Sequence, residues 1–201
     1  YKQMSQSHPN FGKASIGWEK WWETVVTKSL EDYVWSPSKA CEISKGLIDS
    51  YKTGDNWVLN VGCEEILSLL KSTGITIGVV SNFDPRLEDV LKDKKLDKYF
   101  DFILTSYAAN CMKPDPKIFD QALILSKINN ITKQEALHIG DDIENDYIGP
   151  KSSGWQALLV SEKETSVTKV DKNHIFKSLK DLQSFFMSHT NCTFIHSTKE
   201  V

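Results

Sequence analysis

Large apolar residues near the start of the chain recur at the spacing of a helix. They fall at positions i, i+3, i+4, i+7 and i+8 and share one face: Trp18, Trp21, Trp22, Val25 and Val26. Because a buried helix face requires this spacing, the stripe favours packing against a neighbouring helix over an exposed binding surface. A second helix is predicted with Ser36 as its N-cap and Pro37 at its first position. Residues 1–57 are therefore predicted to form a small helical module.

From Trp57 onward, short apolar runs alternate with helical patterns. Four runs have the length and β-branching of buried strands, at 75–80, 102–104, 136–139 and 157–160. Helical patterns lie around them, at 66–74, 84–91 (with Asp84 as N-cap and Pro85 first), 116–126, 146–153 and 178–186. The alternation predicts an α/β, Rossmann-like core at 58–187, with a parallel sheet and helices on both faces. The polar residues 188–201 are predicted to form a disordered tail.

Composition and charge exclude several classes of protein. The 201 residues include 24 Lys and Arg and 27 Asp and Glu, which gives a formal net charge of -3, and the mean hydropathy is -0.36. This mild acidity gives no electrostatic reason to expect nucleic acid or an anionic membrane as a partner. No apolar run approaches the roughly 20 residues that span a bilayer. The first residues also lack the charged and apolar blocks of a signal peptide.

The cysteines indicate the compartment. Cys41, Cys63, Cys111 and Cys192 are scattered and form no C-x-x-C pair. A secreted disulfide scaffold or a structural zinc site needs tighter spacing. We therefore expect reduced thiols in an intracellular protein. The cytoplasm is the first expectation, and the nucleus and the mitochondrion stay open.

Residues directly after the predicted strands are the candidates for chemistry, because ligands bind at the carboxyl ends of strands in an open parallel sheet. Ser81 and Asn82 follow the first strand, and Lys113 lies in a loop before the helix that follows the second strand. Each has a structural explanation when taken alone. Ser81 could hydrogen-bond to the backbone, and Lys113 could be a solvated loop residue. Together, a hydroxyl and a lysine can hold the oxygens of a phosphoryl group and stabilise its charge.

Four acidic residues fall in the short segment 140–146 that follows the third strand: Asp141, Asp142, Glu144 and Asp146. Asp141 and Asp142 could be turn or capping residues, and Asp146 could cap the next helix. Like charges this close repel one another unless a cation lies among them. Carboxylate oxygens are preferred by hard cations, so the cluster favours Mg²⁺.

Three ordered motifs resemble those of the haloacid dehalogenase-like (HAD) hydrolase superfamily. Residues 79–82 (VVSN), 113–116 (KPDP) and 140–146 (GDDIEND) resemble its second, third and fourth motifs in order and spacing. In more detail, 81–84, 113–119 and 140–150 look like the haloacid dehalogenase-like hydrolase domain-containing protein 3 group. The resemblance covers about residues 8–160 and includes the helical module.

The resemblance implies a Rossmann-like core with a helical cap inserted after the first core strand, and Mg²⁺-dependent hydrolysis of a small phosphorylated metabolite. Ser81, with Asn82 beside it, would bind the phosphoryl oxygens, and Lys113 would orient the nucleophile and neutralise charge. Asp141 would ligate Mg²⁺ directly, and Asp146 would help through the metal or its waters. Asp142 is a secondary candidate for a metal ligand.

The sequence departs from the family at the first motif. The family's first strand ends in D-x-D, in which one aspartate attacks phosphorus to form an aspartyl-phosphate and the other acts as general acid and base. No D-x-D occurs in these 201 residues, and Glu19 and Glu23 on the Trp-rich helix cannot replace it. We therefore expect an N-terminally truncated chain that is inactive alone, with a slot between the strands that end at Ser81 and Gly140.

Two non-catalytic readings stay open beside the phosphatase. One is a catalytically dead product that retains weak magnesium or ligand binding, and the other is a scaffold that uses the Trp stripe. A dehalogenase is a less favoured variant of the enzyme, because the acidic cluster fits phosphate chemistry better.

Overall fold

A computed structural model describes residues 1–34, 36–162 and 169–193. The helices are α1 Lys2–Ser7, α2 Pro9–Gly12, α3 Trp18–Ser29, α4 Pro37–Ser50, α5 Cys63–Ser72, α6 Leu87–Asp93, α7 Ser106–Ala109, α8 Pro116–Ser126, α9 Gly149–Ser152 and α10 Leu179–Thr193. The strands are β1 Gly78–Ser81, β2 Phe102–Thr105, β3 Leu137–Gly140, β4 Gln156–Val160 and β5 Ile175–Phe176. A π-helix covers Ile143–Ile148, and short 3-10 turns cover Gly54–Asn56, Asp97–Tyr99, Lys133–Glu135 and Lys172–His174. No helix in these ranges is long and apolar enough to span a bilayer.

The chain divides into two compact units. The first unit contains Tyr1–Val58 and Thr76–Ile128, and the second contains Leu59–Ile75 and Asn129–Val201. The boundary predicted between a helical module at 1–57 and a core at 58–187 stays a prediction. Residues 163–168 and the final part of the predicted tail, 194–201, lie outside the described residues.

The first unit contains a two-stranded parallel sheet. Gly78 of β1 pairs with Phe102 of β2, and the register continues to Ser81 opposite Thr105. β1 begins later than the sequence predicts. The Ile77 carbonyl accepts from the Asp101 amide at 2.7 Å, but the Ile77 amide donates to the Asp101 carboxylate at 2.9 Å, and the regular register starts at Gly78. Gly78 is required at the first pair, since an added Cβ would lie 2.0 Å from Phe102 Cζ.

The Trp-rich helix α3 forms as predicted, with Trp21 buried and the other four residues of the stripe half-buried. Trp21 is 1% exposed and packs in a cluster with Met4 and Phe11, against which Trp18, Trp22, Val25 and Tyr107 also pack. The Trp21 indole N–H donates to the His8 carbonyl at 2.9 Å. The prediction that the stripe is a packing face is therefore confirmed. The predicted cap of α4 is also present, since the Ser36 side chain accepts from the Lys39 amide.

The second unit contains a three-stranded parallel sheet in the order β3-β4-β5. β4 is central and its Leu159 is fully buried. Helices α5 and α10 contribute Ile66 and Leu182 to a core against β4. The parallel α/β fold predicted from the sequence is confirmed. β5 was missed because a two-residue strand carries no periodic signal.

Besides the later start of β1, several other element boundaries differ from the sequence predictions, three of them at caps or at the tail. Asp84 is not the cap of α6, which begins at Leu87, because its carboxylate is taken up by Arg86. After β3, the helix begins at Ile143 with Asp142 as N-cap, so the prediction that Asp146 caps it is wrong. The last helix, α10, extends to Thr193, so residues 188–193 of the predicted disordered tail are helical.

A buried ion pair connects α3 to the loop after β1. Arg86 donates to Asp84 from Nε at 2.9 Å and from Nη2 at 2.6 Å, and the Trp22 indole N–H donates to Asp84 at 2.7 Å. Asp84 is 1% exposed and Arg86 6%. The guanidinium carbon of Arg86 lies 5.2 Å from the ring centroids of both Trp18 and Trp22. Both charges are thus hydrogen-bonded or stacked, which is what makes their burial tolerable.

We predict that Asp84→Ala destabilises the protein strongly, because it leaves the buried Arg86 guanidinium without its counter-charge. Removing one partner of a buried pair costs about 3–5 kcal/mol. Urea unfolding measures the loss. The matched control is Asp49→Ala, which removes an exposed ion pair with Lys52 and should cost less than about 1 kcal/mol. Equal losses in the two variants would contradict the proposed importance of the buried pair.

Candidate functional site

In the first unit, the predicted phosphate-binding residues lie at the carboxyl end of β1. Ser81 is the last residue of the strand and is half-buried. Within the described residues its hydroxyl has no hydrogen-bond partner, whereas its carbonyl accepts from the Phe83 amide at 2.9 Å. The structural explanation considered for Ser81, a hydroxyl that hydrogen-bonds to nearby backbone, is therefore not what the structure shows. Ser81 offers a donor at the end of the strand.

Asn82 holds the loop that carries Lys113. Its side-chain Nδ2 donates to the Lys113 carbonyl at 2.9 Å, and its Oδ1 accepts from the Lys113 amide at 2.8 Å. This reciprocal pair joins two segments 31 residues apart in the sequence. Asn82 therefore fixes the backbone of the Lys113 loop. No sequence pattern indicated these two hydrogen bonds.

The Lys113 side chain turns back toward β1. Its Nζ donates to the Val80 carbonyl at 2.8 Å, one residue before Ser81. The ammonium is half-buried, and the Lys113–Pro114 peptide bond is cis. The structure thus joins Asn82 to the Lys113 backbone and places the Lys113 ammonium on the carbonyl that precedes Ser81, so Lys113 is not a solvated loop residue. The following helix α8 has the predicted bounds, with Asp115 capping the Lys117 amide at 2.9 Å.

In the second unit, the acidic residues lie on the turn after β3. Asp146 is 6% exposed, and one of its carboxylate oxygens accepts from the amides of Asp141 at 3.2 Å and Asp142 at 3.0 Å. Its other oxygen lies 2.9 Å from Nε2 of the buried His138. Gly140 makes room for this arrangement, since an added Cβ would lie 2.3 Å from the Asp146 Cγ. The π-helix brings Asp146 back over the turn, and π-helical turns are frequent at functional sites.

Asp141 and Asp142 differ in what their carboxylates do. Asp142 caps the π-helix by accepting from the Asn145 amide at 2.8 Å. Asp141 is exposed, and among the described residues its carboxylate has no hydrogen bond. Asp146, by contrast, is buried and already accepts hydrogen bonds on both oxygens. The turn therefore presents Asp141 to ligands and uses Asp146 as its support.

A magnesium ion fits this turn only as a partly protein-bound ion. No group of three or more His, Cys, Asp or Glu side chains among the described residues is arranged to hold a metal. Mg²⁺ is usually held by one or two carboxylates, with water and substrate phosphate completing its shell. The free carboxylate of Asp141 meets that requirement, with Asp142 beside it. The donor set is thus compatible with Mg²⁺ but is not a complete cage.

Sequence reasoning missed His138, Asp84 and Arg86. His138 lies inside a run that reads only as a buried strand, although a histidine in such a run needs a polar partner. The signal that could have revealed this partner was a carboxylate, Asp146, on the turn that directly follows the same strand. For Asp84, the competing Arg86 two positions later was the signal against a cap.

Burial raises the pKa of the Cys111 thiol, which lies two residues before Lys113, and also that of the Cys63 thiol in α5. A raised pKa disfavours the thiolate, which is the reactive form of cysteine. Neither residue is therefore an activated nucleophile.

The sequence matches a known family over most of its length. The profile of the haloacid dehalogenase-like hydrolases matches residues 2–154. The chain belongs to this family. A relative is the rhythmically expressed gene 2 protein of Drosophila melanogaster, 36% identical over 194 residues, with 89% of this chain and 75% of that protein covered. Haloacid dehalogenase-like hydrolase domain-containing protein 3 of Homo sapiens is 34% identical over 188 residues, covering 90% and 74%. The resemblance to this group is confirmed.

Solved structures of HAD hydrolases share the fold. A dehalogenase described as an intermediate complex has a TM-score of 0.71 at 19% identity, covering 92% of this chain and 80% of that chain. The HAD-hydrolase YfnB of Bacillus subtilis, described as bound to magnesium, has a TM-score of 0.67 at 17% identity, with the same coverage. A HAD phosphatase from Thermococcus onnurineus has a TM-score of 0.63 at 20% identity, covering 92% and 88%. These likenesses establish the HAD fold.

We predict that Asn82→Ala releases the Lys113 loop, because it removes both hydrogen bonds to the Lys113 backbone. The half-buried amide and carbonyl of Lys113 lose their partners, which costs about 1–3 kcal/mol. Hydrogen exchange should show the Lys113 amide losing protection. Asn56→Ala is the control, since Asn56 donates to the Ser50 carbonyl at an exposed site. Unchanged protection of the Lys113 amide in Asn82→Ala would refute the fastening role.

We predict that Gly140→Ala disrupts the acidic turn, because the new methyl group would overlap the buried Asp146 carboxylate. Such overpacking costs about 1–3 kcal/mol. Hydrogen exchange at the Asp141 and Asp142 amides should accelerate, since both donate to Asp146. Gly46→Ala is the matched control. Gly46 lies within α4 with no atom within 4 Å of an added Cβ, so this change should stabilise the protein by up to about 1 kcal/mol. Two variants of equal stability would count against the steric argument.

Proposed function

We propose that this HAD hydrolase acts on small phosphate esters in a Mg²⁺-dependent way when the family's D-x-D strand is present, and that these 201 residues are inactive without it. The single observation that supports phosphate chemistry is the Lys113 ammonium, which donates to the Val80 carbonyl one residue before Ser81 at the end of β1. An ammonium and a free hydroxyl are suited to phosphoryl oxygens, because both donate hydrogen bonds and the ammonium neutralises charge that develops during transfer.

Asn82 contributes by positioning. Its two hydrogen bonds fix the backbone of Lys113, so the ammonium does not have to be ordered when substrate arrives. Pre-ordering of this kind lowers the entropic cost of reaching the transition state. Asn82 thereby supports binding of the phosphoryl group through Lys113.

In the second unit, Asp141 is the residue that would hold Mg²⁺, with Asp142 as a secondary ligand and Asp146 supporting the turn. The ion, when bound, supplies positive charge to the phosphate oxygens. The YfnB hydrolase described as bound to magnesium belongs to the same fold, which supports the choice of metal.

The proposed inactivity of the chain rests on its lack of a nucleophile. The sequence contains no D-x-D, and burial disfavours the thiolates of Cys63 and Cys111. We infer an intracellular setting from the dispersed cysteines. A small phosphorylated metabolite is the partner that we propose, in preference to nucleic acid or membrane.

The missing D-x-D also favours a second candidate, a non-catalytic member of the family that binds ligand without turning it over. A dehalogenase is the third candidate, since a dehalogenase shares the fold. The lysine and the acidic turn favour phosphate over a haloacid, because a carboxylate cluster suited to a cation fits phosphate chemistry better.

Phosphate release distinguishes these candidates. We predict that the 201-residue chain releases no phosphate from p-nitrophenyl phosphate or a metabolite panel, and that a chain extended at its N-terminus by a hydrophobic strand ending in D-x-D does so only with Mg²⁺. In the extended chain, Lys113→Ala should lower kcat by about 100-fold or more, because it removes the positive charge at the carboxyl end of β1. Lys39→Ala, which loses only an exposed ion pair with Glu42, is the matched control.

The other outcomes identify the alternatives. An extended, folded chain with no Mg²⁺-dependent phosphate release would refute the phosphatase and favour the non-catalytic member. Halide release from 2-haloacids by the same chain would favour the dehalogenase. Phosphate release by the 201 residues alone would refute the proposed inactivity.

A further inference from the structure

One buried histidine contacts the support of the acidic turn. His138 is the second residue of β3 and is 8% exposed. Its Nε2 lies 2.9 Å from Asp146 Oδ1. Since an ionised carboxylate only accepts hydrogen bonds, the imidazole Nε2–H is the donor. A buried polar side chain is costly unless it is hydrogen-bonded, so this contact accounts for the burial of His138, the one buried residue of β3.

The contact fixes the direction of the Asp146 carboxylate. The χ2 angle of an aspartate is broad, so its hydrogen-bond partners set the orientation of the carboxylate, and His138 holds one of its two oxygens. With Oδ1 held by His138, Oδ2 lies within hydrogen-bond distance of the amides of Asp141 and Asp142, at 3.2 and 3.0 Å. Gly140 lies against the other side of the carboxylate group. A single side chain thus connects the interior of β3 to two successive amides of the turn.

We propose that His138 is a positioning residue for the Asp141–Asp142 turn, acting through Asp146. His138 orients the Asp146 carboxylate, which accepts from the amides of Asp141 and Asp142. The position of the exposed Asp141 carboxylate therefore depends on His138. The structural part of this inference is independent of any metal. Its consequence for Mg²⁺ affinity rests on the proposed function.

Two amide side chains of different length test the hydrogen bond. In His138→Gln the side-chain nitrogen reaches about as far as imidazole Nε2 and can donate to Asp146, whereas in His138→Asn the nitrogen is too short to do so. The first measurement is hydrogen exchange of the Asp141 and Asp142 amides in the 201-residue chain without metal. We expect exchange to accelerate at least about tenfold in His138→Asn and to stay within about threefold of the parent in His138→Gln.

The second measurement is the Kd for Mg²⁺, obtained by titration calorimetry on the same chain. Loss of a group that orients a metal ligand typically weakens metal binding 10–100-fold, so we expect about tenfold weaker binding in His138→Asn and recovery in His138→Gln. Ser153→Ala is the control. Ser153 is a buried residue of the same unit whose hydroxyl donates to the Gly149 carbonyl at 2.9 Å and makes no hydrogen bond to His138, Asp141, Asp142 or Asp146. It should change neither the exchange of the two amides nor the Kd.

The outcomes separate this inference from the proposed function. Equal exchange of the two amides in the Asn and Gln variants would overturn the positioning role of His138, whatever Mg²⁺ does. If the parent chain binds no Mg²⁺ but the exchange difference appears, the positioning role stands and the metal part of the proposed function fails. If His138→Asn does not fold while His138→Gln folds with protected amides, the donor is still shown to be required. Failure of both variants to fold, with Ser153→Ala folded, would overturn the inference, because the imidazole would then be a packing residue.

Discussion

The dominant constraint on this protein is that the polar backbone groups at the carboxyl ends of its parallel strands must be hydrogen-bonded. Each sheet meets the constraint with one side chain that comes shortly after a strand. Asn82 satisfies both the amide and the carbonyl of Lys113. Asp146 satisfies the amides of Asp141 and Asp142. The loops at these strand ends are therefore fixed by side chains and not by further ladder pairing.

Because some polar side chains are used to hold these loops, the residues of each motif have different roles. Residues that looked equivalent in the sequence separate into two groups: residues that hold the backbone of a loop, and residues whose side chains remain available to a ligand. Asn82 and Asp146 use their polar atoms on neighbouring backbone. Ser81 and Asp141 keep theirs available. A supporting residue can thus be as necessary to a site as the group that meets a ligand, since it determines where that group stands.

The sequence predicted the sheet strands and the order of the motifs because both depend on local patterns. The four longer strands lie in short, mostly apolar runs, and α8 carries both a cap at Asp115 and a proline at its first position. The cap predicted at Asp84 failed because the carboxylate has side-chain partners both near and far in the sequence. Its carboxylate is bound by Trp22, 62 residues away, as well as by Arg86. Periodicity cannot show such partners, because side-chain hydrogen bonds over long separations leave no spacing rule.

The buried charges explain why the Trp-rich helix belongs to the same unit as β1. A helix with a wide aromatic face could pack in several orientations, since apolar contact is not directional. The Trp22 indole N–H has one acceptor, Asp84, and that carboxylate is fixed by Arg86. Because Asp84 lies three residues after Ser81, the orientation of α3 is tied to the end of β1. The aromatic stripe thus contributes apolar contact area, and the ion pair determines the orientation in which α3 packs.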